Sequence, residues 1–207
     1  MKDEKSVLNG VQAVVFDVDG TLYDKRGLAR KMVRHLWWSL PLLLSERLAR
    51  RKMHFVQYPS GEEFFAAFFR SMSHGHWWGV RIAEKWYDHV YMPTMVRLIA
   101  KYHHPRPEVL RLIEECRKRG ITTAIYSDYG FVLQKLDALG INPDWFDLIV
   151  DAPELGALKP SKLSAQKVLE LLKTDPKDTL FVGDRDDKDG ESARAVGARF
   201  LLVKPNK

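Results

Sequence analysis

Apolar residues recur along the chain in two rhythms. Short β-branched or aliphatic runs, "VQAVVF" (Val11 to Phe16), "ITTAIYS" (Ile121 to Ser127), "DLIV" (Asp147 to Val150), "TLFVG" (Thr179 to Gly183) and "RFLLV" (Arg199 to Val203), have the length and composition of buried strands. Between the later runs, apolar positions fall at three- and four-residue steps. "PEVLRLIEECRKRG" (Pro107 to Gly120), with Pro near its start and Gly at its end, predicts a helix, as do "FVLQKLDALG", "SKLSAQKVLELLK" and the stretch around "SARAVGA". One strand followed by four helix–strand alternations predicts an α/β fold, a doubly wound parallel sheet of Rossmann-like form with helices on both faces.

Residues 24–104 break that order. "GEEFFAAFFRSM" and "RIAEKWYDHVYMPTMVRLIAKYHH" carry helical periodicity and no strand-like run separates them. The same stretch carries a net charge of +8 against +6 for the whole chain of 207 residues, and it holds all seven histidines and five of the six tryptophans. Composition therefore divides the chain into a mildly acidic frame, residues 1–23 and 105–207, and a basic, aromatic helical insert, residues 24–104.

In parallel sheets of this kind reactive groups gather beyond the carboxyl ends of the strands. Asp17, Asp19, Gly20 and Thr21 follow the first strand, and Ser127 and Asp128 follow the second. Lys159, in "GALKPS", follows the third, and Asp184, Asp186, Asp187 and Asp189 follow the fourth. Asp17 and Asp19 at i and i+2 share a strand face, where like charges repel. A divalent cation turns such repelling neighbours into ligands, and Mg2+ suits few carboxylates, several waters and a phosphate oxygen. Lys159 adds positive charge, while Ser127 and the amides near Gly20 offer hydrogen bonds. Together they describe a pocket that neutralises a phosphoryl group during transfer.

The four segments "DVDGTL", Ser127, Lys159 and "GDRDDKD" occur in the order of the motifs of the haloacid dehalogenase superfamily, and the frame resembles its phosphohydrolases. The resemblance implies that Asp17 is the nucleophile and forms an aspartyl-phosphate. It implies that Asp19 is the general acid and base, and that Ser127 and Lys159 contact the phosphoryl oxygens. Gly20, Thr21 and Asp128 complete the implied phosphate-binding set. Mg2+ would be held by Asp17, Asp184 and the backbone carbonyl of Asp19. Asp189, ahead of Asp187, would be the second acid of the last motif, with Asp186 facing solvent. Relatives that cleave carbon–halogen bonds typically lack the second Asp of the first motif, so Asp19 points to phosphate chemistry. The insert sits where that superfamily carries helical caps that select the leaving group. A basic cap would favour a small anionic phosphorylated substrate. Arg26, Arg30, Lys31, Arg34, His74 and His76 are candidate contacts, although charges on a bundle surface are ordinarily solvated. A phosphotransferase or mutase would use the same residues, and a lipid-phosphate phosphatase or a non-catalytic binding protein are the other readings.

Other chemistry fits less well. "DVDG" is not completed as an EF-hand, and "HGH" and "HH" lack partners at zinc spacing. The single Cys116 lies in helical periodicity and reads as a partly buried structural thiol. Trp37, Trp38, Trp77, Trp78 and Trp86 read as bundle core. No nucleic-acid-binding motif accompanies the pI near 9.3. The nearly continuous apolar run Leu36 to Leu44, interrupted by Pro41, is too short to span a bilayer. With its flanking arginines it suits cap core or a dimer surface, or else an interfacial helix on anionic lipid. "MKDEKSVLNG" has no apolar secretion segment, and one cysteine makes no disulfide framework, so a cytoplasmic location is expected.

Overall fold

The computed structural model describes residues 4–204, with side chains from Ser6 onward. The opening three residues, part of the amino-terminal stretch read above, and residues 205–207 lie outside that range. A short helix α1 (Glu4–Val7) leads into β1 (Ala13–Phe16). Five helices follow: α2 (Leu28–His35), α3 (Leu40–Lys52), α4 (Gly61–Ser73), α5 (Val80–Trp86) and α6 (Met92–Tyr102). The alternating part comprises α7 (Pro107–Lys118), β2 (Thr122–Ser127), α8 (Val132–Ala138), β3 (Leu148–Asp151), α9 (Lys162–Leu172), β4 (Thr179–Gly183), α10 (Glu191–Val196) and β5 (Arg199–Leu202).

All strand pairings are parallel, in the order β3-β2-β1-β4-β5. Every residue of β1 is buried, as a central parallel strand covered on both faces requires, and "AVVF" supplies it with nothing but apolar side chains. The sheet runs from β1 through β2 to β3 on one side, and β4 and β5 are added on the other. The direction of winding thus reverses at β1, which places the topological switch point at the carboxyl ends of β1 and β4. Register aligns Phe16 with Ile125 and Val182, so the residues that follow β1, β2 and β4 emerge at one edge.

Local sequence explains the helices that cover the sheet. In α7 Val109, Leu112, Ile113 and Cys116 form the buried stripe, each large apolar side chain contributing about 2 kcal/mol relative to exposure. Cys116 is completely buried, deeper than its spacing implied, and burial pushes its thiol up to about 12, so it carries no thiolate at neutral pH. Among the inserted helices, α4 begins at Ser60, whose hydroxyl accepts from the Glu63 amide, and buries Phe64, Phe68, Phe69 and Met72. The expected long helix over 81–104 is divided by a π-helical turn, Tyr87–Tyr91, with Pro93 at the first turn of α6. Pro41 likewise sits in the first turn of α3, where a missing amide costs nothing, and starts that helix instead of interrupting it.

The expectation that the tryptophans form bundle core holds only in part. Trp78 and Trp86 are buried, but Trp37, Trp38 and Trp77 are 72%, 58% and 88% exposed. The apolar run is not simply core either: Leu36 is buried, whereas Leu40 and Leu44 are exposed. Among the described residues no helix is long and apolar enough to cross a membrane.

Arg50 ties α3 to the sheet. Its guanidinium pairs with Glu46 at 2.8 Å, donates to the Asp128 carbonyl at 3.0 Å and to the Tyr87 hydroxyl at 3.1 Å, and lies 3.9 Å over the Tyr129 ring. Glu46 is itself buried, so this pair anchors helix and loop together by a desolvated, fully partnered charge.

Candidate active site

Asp17 follows β1 directly and its amide continues the ladder to the Val182 carbonyl at 2.9 Å, which fixes where the carboxylate projects. Its Oδ2 accepts from the buried Thr21 hydroxyl at 2.9 Å and its Oδ1 from Lys159 Nζ at 2.7 Å. The Lys159 ammonium is buried, and also donates to Asp189 Oδ1 at 2.6 Å and to the Tyr126 carbonyl at 3.0 Å. Burial alone would lower the Lys159 pKa, but Asp17, Asp189 and Asp128 outweigh it and hold the ammonium charged well above its ordinary range.

Carboxylate oxygens of Asp17, Asp184 and Asp189 lie within 4.8 Å of one another. Burial raises the Asp184 carboxyl, with Lys25 opposing. Burial also raises Asp189, to about 6, against the pull of Lys159 and with the push of Asp17. Two glycines allow this crowding. A Cβ on Gly20, which has φ +107°, would stand 2.3 Å from Asp184 Oδ2, and one on Gly183 would stand 2.3 Å from Asp189 Cγ. The π-helical turn Asp186–Gly190 carries Asp189 inward while Asp186 and Asp187 stay at the surface, paired with Arg194 and Arg185 respectively. Of the two acids weighed for the last motif, Asp189 is the one that joins the cluster.

Asp19 stands apart from those three carboxylates. Its Oδ2 accepts from Lys135 Nζ at 2.6 Å and its Oδ1 from the Tyr23 hydroxyl at 2.5 Å. Lys135 is completely buried. Burial, then the neighbouring Asp19 charge and hydrogen bond, raise the Tyr23 phenol well above its usual value, so it remains a donor. The Asp19 carbonyl accepts from Lys25 Nζ at 2.7 Å, and the same ammonium contacts Asp184 Oδ2 at 2.8 Å. Lys25 thus bridges two of the groups that the sequence resemblance assigns to a metal.

Ser127, at the end of β2, uses its hydroxyl locally, donating to the Tyr129 carbonyl at 2.9 Å and accepting from the Tyr129 amide at 3.3 Å. Asp128 accepts from the Lys159 amide at 2.7 Å and from Lys188 Nζ at 2.6 Å. Burial would raise its pKa, but Lys159 and Lys188 bring the net value below the ordinary range. Its carboxylate is therefore committed to holding the loops that carry the two lysines.

A cavity of about 560 Å³ opens above these groups. Asp17, Asp19, Asp184, Asp189, Lys159 and Lys25 form its floor, with Asp128, Arg185 and Lys188 at one side. The inserted helices supply the opposite wall, chiefly through Leu28, Met32, Val33, Leu40, Leu44 and Met95. None of the basic and histidine contacts expected from the insert, Arg26, Arg30, Lys31, Arg34, His74 and His76, lines this cavity; Lys25 and Arg47, which were not among them, do.

Sequence reading missed Lys25, Tyr23, Lys135 and Lys188. For Lys135 a signal was present: with Val132, Leu136 and Leu139 it completes an i, i+3, i+4, i+7 stripe, and a lysine within a buried stripe calls for a buried acid.

A family model for haloacid dehalogenase-like hydrolases matches residues 11–197. A phosphoglycolate phosphatase of Aquifex aeolicus is 35% identical over 104 residues, which is 49% of this chain and 48% of that protein. The chain thus spans about half the length of that relative. A glyceraldehyde 3-phosphate phosphatase of Methanothermobacter thermautotrophicus is 24% identical over 206 residues, covering 93% of this chain and 85% of that protein. The crystal structure of CbbY from Rhodobacter sphaeroides in complex with phosphate superposes with a TM-score of 0.65 at 21% identity, covering 95% of this chain and 87% of that one, a likeness of fold.

Proposed function

Because the chain belongs to the haloacid dehalogenase-like hydrolases, we propose that it is a Mg2+-dependent phosphomonoester hydrolase working through an aspartyl-phosphate on Asp17. The observation that carries this reading is the placement of Asp17: buried at the end of the central strand, one oxygen held by Thr21, the other by Lys159, beside two further carboxylates. We assign residues 1–23 and 105–207 to the catalytic core and residues 24–104 to a helical cap, an assignment supported by the run of helices α2 to α6 between β1 and α7.

Three converging carboxylates are a hard, all-oxygen donor set, which suits Mg2+. Asp17, Asp184 and Asp189 would hold the ion, with the carbonyl of Asp19 after Lys25 moves aside. When bound, Mg2+ would supply positive charge to the phosphoryl oxygens and the attacking carboxylate. Lys159, kept charged by its acidic neighbours, offers a second positive charge there. Ser127 and the amides around Gly20 are the remaining donors, while Thr21 aims Asp17 and Asp128 positions Lys159.

In the first step an Asp17 oxygen forms a bond to phosphorus as the bond to the ester oxygen breaks, and Asp19 gives its proton to the departing alkoxide. In the second, Asp19 takes a proton from water as that water attacks phosphorus; inorganic phosphate leaves and the Asp17 carboxylate is restored. Tyr23 and Lys135 orient the ionised Asp19 carboxylate that takes the proton from water; to act as the acid in the first step Asp19 must carry a proton on one oxygen, which requires that oxygen to give up its contact with Tyr23 or Lys135. The experiment is phosphate release from a panel of phosphomonoesters with and without Mg2+. Release that needs the ion and disappears in Asp17→Asn supports the reading; release that survives both refutes it.

A further inference from the structure

The wall of the cavity facing the carboxylates is unlike the floor. Leu28, Met32, Val33, Leu40, Leu44 and Met95 present only aliphatic or thioether groups. The charged side chains on that wall are Glu46, which is paired with Arg50, and Arg47. A site that recognises a sugar or a hydroxy acid needs donors and acceptors aimed at each hydroxyl, because a buried hydroxyl without a partner is costly. This wall offers few. Leu40 and Leu44 are also 41% and 54% exposed in the free protein while they line the cavity. The stripe continues outward: Leu48, one helical turn beyond Leu44 on α3, is exposed too, as are Trp37 and Trp38 in the turn before Leu40.

We propose that the substrate is a phosphomonoester whose alcohol is a long apolar group, held with its phosphate on the carboxylate–lysine floor and its chain along Leu40, Leu44 and Val33. The inference rests on the phosphatase reading above and narrows its substrate class. It replaces the small anionic substrate that the basic charge of residues 24–104 suggested. Most of that charge lies away from the cavity: of the cationic side chains in that segment, Lys25 and Arg47 line it. Such a substrate could come from a lipid surface or from solution, and the same cavity chemistry would serve either.

The test is a chain-length series of monoalkyl phosphates, from ethyl to octyl, kept monomeric, alongside glycerol 3-phosphate, phosphoglycolate and acetyl phosphate. Burying a methylene strengthens binding about fourfold, so kcat/KM should climb several-fold per carbon over the first few carbons, exceed about 30-fold from ethyl to octyl, and outstrip both polar esters. Leu44→Asp should lower kcat/KM for octyl phosphate at least tenfold, chiefly through KM, and Leu44→Met should restore it. Circular dichroism and the melting temperature of each variant report whether the fold is kept. A flat series, or better turnover of the polar esters, overturns the inference while acetyl phosphate hydrolysis keeps the phosphatase reading alive. If no compound, acetyl phosphate included, is hydrolysed, both fall. Dodecyl phosphate presented in mixed micelles distinguishes the sources: a rate that rises with micelle surface concentration identifies a lipid surface, and one that follows monomer concentration identifies a soluble substrate.

Discussion

Replacing Lys135 by Met removes a buried ammonium while nearly keeping its volume, and leaves Asp19 without its cation. The gross attraction at 2.6 Å, taken at an effective dielectric constant of about 20, is about 6 kcal/mol, part of which desolvation of the pair offsets. Truncating one partner of a buried pair ordinarily costs about 3–5 kcal/mol, because the other charge stays buried alone. Asp19 keeps the Tyr23 hydroxyl and a side-chain exposure of 12%, which favours the lower end, so Lys135→Met should destabilise by about 3 kcal/mol. With a urea dependence of about 2 kcal/mol per molar, the unfolding midpoint should fall by about 1.5 M. Asp19→Asn should also destabilise, by stranding Lys135. The double variant should recover about 2 kcal/mol relative to the sum of the two, because neither charge is then left unpaired. A Lys135→Met midpoint within about 0.2 M of the natural protein, or strictly additive losses, would refute the pairing as an energetic unit.

Three further outcomes follow from other contacts. Asp151 is pushed up to about 7 by burial and then by Glu154, so the native state holds a proton that the unfolded chain has already released near pH 4. The contribution of Asp151 to stability should therefore decline from about pH 4 to 7, and Asp151→Asn should remove that contribution and gain up to about 4 kcal/mol over the natural protein at pH 8 in denaturant titrations; a pH-independent difference would contradict this. Lys25 bridges Asp184 and the Asp19 carbonyl but is 41% exposed, so Lys25→Ala should tighten Mg2+ two- to fivefold by calorimetry, an estimate of about 1 kcal/mol at most; unchanged or weaker binding would count against competition by this ammonium. Gly183→Ala places a Cβ where Asp189 now stands, and should lower the melting temperature and weaken Mg2+ binding together, whereas loss of neither would show that Asp189 can move freely.

How far the sequence carries depends on whether a feature is set locally. The first strand, read over Val11 to Phe16 and found over Ala13–Phe16, and the helix of Val109, Leu112, Ile113 and Cys116 follow from local apolar pattern, because burial on one face or two leaves its mark on neighbouring residues, and the parallel sheet follows from the alternation of strand and helix segments. The gathering of Asp17, Lys159, Asp184 and Asp189 was legible as well, since parallel strands deliver whatever follows them to one edge. The partners of Asp19 were not. Lys135 belongs to a helix 116 residues away in sequence; its place in a buried stripe signals that it needs an acid, but nothing local says which acid that is. The tryptophans show the opposite failure. Trp37 and Trp78 each belong to a Trp-Trp pair, and Trp37 has the more apolar sequence neighbours, yet Trp37 is 72% exposed and Trp78 is buried, because the wall each faces is built by other segments of the chain. The contacts chosen from charge, Arg26, Arg30, Lys31, Arg34, His74 and His76, miss the cavity for a similar reason: a net +8 over residues 24–104 says nothing about which side of a helix carries it.

The central claim is that Asp17 carries the phosphoryl group. The direct measurement is acid quenching of the protein during turnover of labelled acetyl phosphate, followed by mapping of the labelled peptide. The account predicts a hydroxylamine-sensitive acyl phosphate on the peptide containing Asp17, absent in Asp17→Asn and longer-lived in Asp19→Asn. Turnover with no labelled protein, or label on any other residue, would contradict it.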